Sequence, residues 1–234
     1  MSAPHQAIDS ERLEEALDRD GYARLPALLD APTCEELAAL YDRADSRFRS
    51  IVTMQRHGYG QGEYKYFARP LPEVVRTLRE QLYPPLARVA DAWAARLGQP
   101  RRWPATQVEL EAVCAAAGQT RPTPLLLRYG PGDYNRLHQD VYGELVFPLQ
   151  VIVLLDTPGR DFTGGELVLV EGRARMQSRP IVVPLVQGDA VVIPVRERPA
   201  PSARGWVKAA MRHGVSEIRS GHRRTLGVIF HDAA

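Results

Sequence analysis

Cysteine is scarce in this sequence of 234 residues, which contains only Cys34 and Cys114. Neither belongs to a CxxC pair or to a mixed cysteine and histidine pattern, so the sequence argues against a disulfide framework and a zinc-finger site. Unpaired thiols are typical of proteins that work in a reducing compartment. The sequence therefore predicts a cytoplasmic protein.

Long apolar segments are also missing. The strongly apolar run Val151–Leu155 is far shorter than the roughly 20 residues that a membrane-spanning helix needs. The first residues, MSAPHQAIDSERLEEAL, lack the basic stretch and the apolar stretch that make up a secretion signal. The sequence therefore predicts neither a membrane protein nor an exported one.

No charge of one sign dominates the chain. The sequence has 30 Lys and Arg residues against 28 Asp and Glu residues, which gives a formal net charge of +2. This balance differs from the strongly basic composition of many nucleic-acid-binding proteins, although it permits a local basic patch. The hydrophobic content of 44% is enough for one well-buried core, so wholesale disorder is excluded.

Residues 1–120 have mainly helical patterns. The patterns run from Asp9 or Ser10 to Asp20, from Ala31 onward, over Pro72–Leu97 and over Gln107–Ala117. Proline interrupts helical hydrogen bonding, so Pro84 and Pro85 predict a break in the third helix. Residues 54–69 have three glycines and no helical period, which predicts a loop or an irregular hairpin.

Residues 121–234 change to short runs of Val, Ile and Leu separated by Gly, Pro and Asp, a pattern typical of a β-sandwich or barrel. The runs are Leu125–Tyr129, Leu145–Leu155, Glu166–Glu171, Ile181–Val186, Ala190–Val195, Trp206–Arg212 and Thr225–Phe230. Arg196–Gly205, rich in Arg and Pro, predicts an exposed, mobile loop. Helices followed by strands predict a single α+β domain over residues 1–234, in which the helices brace the sandwich.

Two residues of a candidate metal site are adjacent in the sequence. His138 and Asp140 are separated by one residue, so in an extended chain their side chains point to the same side. One such pair is a weak signal in a sequence with six histidines. His213, at the end of a predicted strand, supplies a third ligand. Two imidazoles and one carboxylate on one face of an octahedral iron leave three positions open.

A candidate anion anchor follows the third candidate metal ligand, His213. Gly214 and Gly221 flank a connection predicted to return the chain as an antiparallel hairpin, which brings Arg223 back beside the metal. Thr225 shares the face of Arg223, and its small side chain leaves an open chamber beside the arginine. A chamber with a cation at one end suits a dicarboxylate. Arg224, on the opposite face, is the alternative anchor.

The same segments resemble a known family. LLLRYGPGDYNRLHQD (125–140) resembles the segment that carries the first two metal ligands in prolyl-4-hydroxylase-like 2-oxoglutarate oxygenases, and RHGVSEIRSGHRRT (212–225) resembles their last-ligand segment. DFTGGEL (161–167) and GDAVV (188–192) resemble two turns between them. The resemblance implies a double-stranded β-helix, or jelly roll, over residues 121–234.

Three further segments narrow the resemblance. HQDVYGELVFPLQ, GQGEYKYF and GVIFHDA are similar to a bacterial subfamily of these oxygenases. That subfamily is described as acting on alkylated DNA, through kinship with AlkB-type demethylases.

The resemblance also implies roles for individual residues. The implied iron ligands are His138, Asp140 and His213. Arg223 would pair with the C5 carboxylate of 2-oxoglutarate, and Tyr129 would help to hold it. Tyr134 matches a second aromatic residue near the metal, although a tyrosine in such a strand is equally typical of a core or sheet edge.

The implied cofactor is iron(II), with 2-oxoglutarate and dioxygen as co-substrates and ascorbate as an accessory reductant to test. The implied reaction hydroxylates a C–H bond while 2-oxoglutarate becomes succinate and carbon dioxide. If the carbon belongs to an N-methyl group, the product loses formaldehyde. The alternatives are a prolyl, protein or small-molecule hydroxylase, and a non-catalytic metal-binding sensor. No obligate protein partner is implied.

Residues 54–69 are also the candidate substrate segment. Arg56, Tyr64 and Tyr66 belong to an interleaved set of bases and aromatic rings, which is typical of surfaces that stack on single-stranded nucleic acid. The alternative is a connecting loop whose rings pack on the sandwich. Trp206 is a further candidate, as part of a lid over the substrate.

Overall fold

The structure is a computed structural model that describes residues 8–43, 47–100, 102–203 and 205–234. Two β-sheets face each other, and the helices cover the outer side of the larger sheet. The main core lies between the helices and this sheet, where Val151, Val153, Leu226 and Val228 are fully buried. The second face of the same sheet is therefore left for the space between the sheets.

The helices begin and end close to the predicted positions. They are α1 (Ser10–Asp20), α2 (Ala31–Leu40), α3 (Glu73–Arg96) and α4 (Gln107–Ala116). Asp9 caps α1 by accepting backbone N–H groups, and Gly21, with φ 85°, ends it in the left-handed region. In the described part of the chain, no helix is both long and apolar enough to cross a bilayer.

The predicted break at Pro84 and Pro85 is wrong, because α3 continues through both prolines. The neighbouring Leu82, Tyr83 and Leu86 are almost completely buried against the core. Burial of these side chains offsets the backbone hydrogen bonds that two prolines remove from the helix.

The strands, in chain order, are β1 (Ala23–Leu25), β2 (Phe48–Thr53), β3 (Gly60–Gln61), β4 (Glu63–Phe67), β5 (Leu125–Tyr129), β6 (Tyr134–His138), β7 (Leu149–Leu154), β8 (Phe162–Gly164), β9 (Leu167–Gly172), β10 (Arg179–Val183), β11 (Ala190–Pro194), β12 (Glu197–Ser202), β13 (Gly205–Val215), β14 (Ile218–Gly221) and β15 (Arg223–Ile229). The larger sheet has the order β1-β11-β7-β15-β5-β4-β2. The smaller sheet has the order β10-β9-β13-β6-β3, with β12 paired to β13, while β14 and β8 form a separate pair.

From β5 onward the chain passes back and forth between the two sheets. Strands β5, β7, β11 and β15 are neighbours in the larger sheet, and β6, β9, β10 and β13 are neighbours in the smaller one. This winding of two facing four-stranded sheets is a double-stranded β-helix. The predicted α+β class and jelly-roll core, braced by helices, are confirmed.

Arg196–Gly205 was predicted to be an exposed, mobile loop, and this prediction is wrong. Residues Glu197–Ser202 form β12, an edge strand beside β13. Arg198 is 2% exposed, and its guanidinium donates to Glu171 at 2.5 and 3.0 Å. This carboxylate allows the charge to be buried, and an edge strand tolerates the prolines that made the segment resemble a loop.

Residues 54–69 are more regular than the predicted loop or irregular hairpin. A 3-10 turn, Met54–His57, is followed by β3 in the smaller sheet and β4 in the larger sheet. Strand β4 lies inside the larger sheet, between β5 and β2. The segment therefore connects the two sheets and borders the space between them.

Candidate active site between the sheets

Strands β6 and β13 bring two histidines together. His138 and His213 are directly paired in the register of these antiparallel strands, and their ring centroids lie 4.2 Å apart. The Nδ1 atom of His138 lies 2.7 Å from the backbone oxygen of Arg136. This contact orients the ring so that its Nε2 faces the neighbouring carboxylate.

Asp140 completes a compact group of possible metal ligands. Its Oδ1 lies 3.5 Å from Nε2 of His138, and its Oδ2 lies 3.1 Å from Nε2 of His213. One ligand atom from each of the three residues lies within 4.8 Å of the others. Such a cluster can hold one ion from a single side, because all three atoms converge on the same space.

Burial and mutual contact control the charges in this group. Burial raises the pKa of Asp140, but the nearby imidazoles outweigh it and hold the net pKa well below its usual range. Burial together with the charge of His138 lowers the pKa of His213. A carboxylate and a neutral imidazole are the forms that bind a metal.

Two tyrosines form a chain of hydrogen bonds that ends at the carboxylate of Asp140. Tyr142 donates a 2.9 Å hydrogen bond to Oδ1 of Asp140, and Tyr66 donates a 3.0 Å hydrogen bond to the Tyr142 hydroxyl. Burial, followed by the charge of Asp140, raises the pKa of the Tyr142 phenol well above its usual value. Tyr142 therefore keeps its proton and acts as a donor to the carboxylate.

A cavity of about 240 Å³ opens beside the three possible ligands. Its walls include Tyr129 and Thr225, and its lining also contains Tyr59, which is 50% exposed at the mouth. Most of the remaining wall is aliphatic or aromatic. A partly enclosed chamber of this kind excludes bulk water from a bound ligand.

Arg223 lines this cavity, and no carboxylate of the described residues forms an ion pair with it. The side chain is 2% exposed, and no described residue provides a hydrogen-bond partner for its Nε or Nη1. The rings of Tyr129 and Phe162 each lie 5.9 Å from its Cζ. Gly165 makes room for the side chain, because a Cβ there would lie 2.9 Å from Cδ of Arg223. Burial of an unpaired guanidinium is unfavourable, so the position fits an anionic ligand.

Arg224, the alternative anchor, occupies a different environment. Its guanidinium pairs with Asp156, with Nη2 2.7 Å from Oδ1, on the opposite face of β15. The predicted hairpin between His213 and Arg223 is wrong, because β13 and β15 belong to different sheets. Arg223 faces the histidines across the space between the sheets, and the intervening β14 pairs with β8.

Among the individually predicted substrate residues, only Tyr64 belongs to the cavity lining, and Tyr66 lies directly behind it. Tyr66 is 7% exposed and contacts Tyr142. The others lie outside the cavity lining: Tyr134 is on β6, Arg56 is exposed on the 3-10 turn, and Trp206 lies over the guanidinium of Arg96 at 4.6 Å. The position of Trp206 over α3 does not match that of a lid over the cavity.

Two cavity residues, Tyr142 and Gln150, were not predicted from the sequence although the sequence contains a signal for each. Tyr142 follows Asp140 by two positions, so the alternation of an extended chain could have indicated it. Gln150 is a lone polar residue in the apolar run LQVIVLL, which is a signal in itself. Tyr59 belongs to the predicted substrate segment 54–69, and the pairing of β3 with β6 brings it to the cavity.

The residues present fit a bound iron(II) ion and a dicarboxylate. Two imidazole nitrogens and one carboxylate, all on one side of the shared space, are the donor set of non-heme iron oxygenases. The unpartnered guanidinium of Arg223 lines the same cavity and provides a charge for a carboxylate. Both features are observed in the chain itself.

Comparison with known proteins also indicates an oxygenase. A sequence model of a protein family described as "Oxygenase, catalysing oxidative methylation of damaged DNA" matches residues 62–233. Two uncharacterized proteins from two strains of Mycobacterium tuberculosis are each 51% identical to this chain over 168 residues, which covers 72% of this chain and 72% of theirs.

Several solved structures share the fold. A Pseudomonas putida prolyl-4-hydroxylase is 16% identical with a TM-score of 0.53, covering 97% of this chain and 100% of its own. A 2OG-Fe(II) oxygenase family protein from Burkholderia pseudomallei is 18% identical with a TM-score of 0.55, covering 99% and 96%. The alpha-ketoglutarate-dependent epimerase SnoN is also 18% identical with a TM-score of 0.55, covering 95% and 82%. At these identities the likeness concerns the fold alone.

Proposed function

We propose, from the premise that this chain belongs to the family of oxygenases described for damaged DNA, that it is an iron(II)- and 2-oxoglutarate-dependent enzyme acting on alkylated bases. The observation that carries the proposal is the compact triad of His138, Asp140 and His213 beside a buried, unpartnered Arg223. A metal site alone would not need the guanidinium. The pair of features matches a metal that works with an anionic co-substrate.

Each residue has a defined task in this proposal. The triad would hold iron(II), which supplies the activation of dioxygen needed to hydroxylate a C–H bond. Arg223 would bind the far carboxylate of 2-oxoglutarate, with Tyr129 and Thr225 beside it in the lining. The aliphatic walls would exclude water from the reacting carbon. On an N-methyl group, hydroxylation would lead to loss of formaldehyde and thus to demethylation.

The mouth of the cavity supports a nucleic-acid substrate. Tyr59 is half exposed there, and its ring stacks on His57 with centroids 5.3 Å apart and an interplanar angle of 20°. Exposed Arg56 and Arg136 lie on the adjoining turn and strand. Aromatic faces stack on unpaired bases and arginines bind phosphates, so the surface suits a single strand with one base turned into the cavity.

The experiment supplies the purified protein with iron(II), 2-oxoglutarate and air, with and without ascorbate. Succinate and formaldehyde are measured with single-stranded oligonucleotides carrying N-methylated bases, and with unmethylated strands as the control. We expect formaldehyde only from the methylated strands, in a one-to-one ratio with additional succinate. A proline-containing peptide in a parallel reaction tests the protein-hydroxylase alternative.

Three results would contradict the proposal in different ways. Stimulation of succinate formation by the peptide alone would replace DNA by protein as the substrate. Metal binding without any succinate would favour a non-catalytic sensor. Failure to bind iron(II) or manganese(II) would remove the enzymatic assignment altogether.

A further inference from the structure

A buried amide without a partner lies in the cavity, away from Arg223. The side chain of Gln150 is 2% exposed and lines the cavity. Its Nε2 has no hydrogen-bond partner among residues 8–43, 47–100, 102–203 and 205–234. Burying an N–H donor without an acceptor is unfavourable, so this atom marks a place where a ligand would provide the acceptor.

The register of the larger sheet places Gln150 well away from the anion anchor. Gln150 is the partner of Ile229 on β15, and Ile229 lies six residues from Arg223 along that strand. At 3.3 Å per residue this is a separation of roughly 20 Å between the backbone positions along the strand. A five-carbon dicarboxylate held by Arg223 is too short to span it. Gln150 therefore belongs to a different part of the cavity from the co-substrate.

This part of the cavity adjoins the triad on the side of Asp140. Ile229 packs in one cluster with Tyr142, and Tyr142 donates to Asp140. The Gln150 end of the cavity thus lies near the Asp140 side of the triad. A substrate whose reacting carbon lies at the metal site could therefore extend toward the side chain of Gln150.

The walls around Gln150 leave a slot for an uncharged, flat group. Tyr64, Leu125 and Ile152 line the cavity here, and none of them carries a formal charge at neutral pH. Gly227 widens the slot, because a Cβ at this position would lie 2.7 Å from Cδ2 of Leu125. Aromatic and aliphatic walls stack on a planar ring, whereas one amide donor selects an acceptor at its edge.

We propose that this end of the cavity is the base-recognition subsite. Gln150 Nε2 donates a hydrogen bond to a carbonyl oxygen or ring nitrogen of the alkylated base, while Tyr64 packs against the ring. The inference rests on the proposed function and adds the residue that reads the base. It also explains why a polar side chain interrupts the apolar run of β7, at a cost to the stability of the free protein.

The test compares Gln150→Leu with Gln119→Leu. Both glutamines are 2% exposed, but Nε2 of Gln119 is bonded to the backbone oxygens of Tyr142, Leu145 and Asp232. We expect Gln119→Leu to lower the melting temperature, because three acceptors lose their donor. Gln150→Leu is expected to keep or raise it, because no acceptor within the described residues is lost.

The second measurement is the affinity for a fluorescent, N-methylated single-stranded oligonucleotide, with manganese(II) and 2-oxoglutarate present. We expect Gln150→Leu to weaken this binding about tenfold, the value of one hydrogen bond to a buried acceptor. The unmethylated strand binds through the outer surface of the protein. We therefore expect it to bind equally well to the unmodified protein and to Gln150→Leu.

The possible failures are distinguishable. A melting temperature of Gln150→Leu that falls as far as that of Gln119→Leu would show a packing role and overturn the inference. A second outcome is that the unmodified protein demethylates the oligonucleotide, while Gln150→Leu binds the methylated strand with unchanged affinity. This outcome would overturn the inference and leave the proposed function intact. No release of formaldehyde by the unmodified protein would overturn the proposed function, and the base-recognition subsite with it.

Discussion

The hydroxyl of Tyr142 donates a 2.9 Å hydrogen bond to Oδ1 of Asp140, while Oδ2 of the same carboxylate lies 3.1 Å from Nε2 of His213. Oδ1 thus accepts from the tyrosine and lies 3.5 Å from Nε2 of His138, whereas Oδ2 is the oxygen closer to an imidazole. This division favours a metal bound through a single carboxylate oxygen. Such a geometry would keep a coordination position free for other ligands.

Tyr142→Phe is expected to weaken metal binding about tenfold, because Asp140 loses the contact that orients it. The affinity for manganese(II) is measured by titration calorimetry. Tyr66→Phe is the matched control, since it removes a phenol from the same chain of hydrogen bonds but leaves the contact to Asp140 in place. Equal metal affinity in the two variants would contradict a positioning role for Tyr142.

Asp140→Ala is expected to abolish both metal binding and the conversion of 2-oxoglutarate to succinate. The variant removes the only carboxylate of the candidate metal group in the described chain. Metal affinity and succinate are measured separately, and His138→Ala should give the same result. Normal turnover by Asp140→Ala would defeat the assignment of the triad.

Arg223→Ala is expected to raise the concentration of 2-oxoglutarate needed for half-maximal turnover about 10- to 100-fold, the loss of a charged hydrogen bond. Metal affinity should change little, because the guanidinium contacts no ligand of the triad. Arg224→Ala is the control: it breaks the pair with Asp156, so it should lower the melting temperature rather than the affinity for 2-oxoglutarate. The reverse pattern would make Arg224 the anchor.

Tyr59→Ala is expected to weaken binding of a single-stranded oligonucleotide about tenfold, because stacking on one base is worth about 1–3 kcal/mol. Trp206→Ala is the control, since its indole lies over Arg96 and outside the cavity lining. Binding is followed by fluorescence anisotropy at two salt concentrations. A larger loss in Trp206→Ala than in Tyr59→Ala would move the nucleic-acid surface to the edge of β13.

Glu171 makes folding stability depend on pH. Its burial raises the pKa, but the buried Arg198 and the neighbouring Arg173 together lower it by more, so the folded pKa lies below the ordinary value of 4.5. The stabilisation is therefore fully present above about pH 4.5 and is lost as the pH falls through the folded pKa. Glu171→Gln should cost about 3 kcal/mol at pH 7, because Arg198 is left buried and unpaired.

This prediction is checked by urea unfolding of both proteins between pH 7 and pH 3. The difference in the free energy of unfolding should shrink toward acid pH, because the unmodified protein also loses the charge of Glu171. A constant difference across that range would show that the ion pair does not control the acid stability.

The sequence anticipated the parts of the site that follow local rules. The spacing of His138 and Asp140 is a property of any extended chain, and the apolar face of the last strand indicated which arginine points inward. Tyr142 obeys the same alternation and was nevertheless missed. The local pattern predicted a hairpin between β13 and β15, although these strands belong to different sheets. Whether two successive strands share one sheet depends on contacts between segments far apart in the sequence.

Short-range patterns by themselves determined the α+β class, most of the helices and most of the strands of residues 121–234, and they indicated His138 and Asp140 as candidate metal ligands. Only the tertiary structure decided that β12 is a strand, that α3 passes through two prolines, and that Gln150 and Arg223 lie far apart in one cavity. These outcomes depend on burial and pairing between distant segments. Local residue preferences are weak compared with the free energy of such contacts, so they cannot specify them.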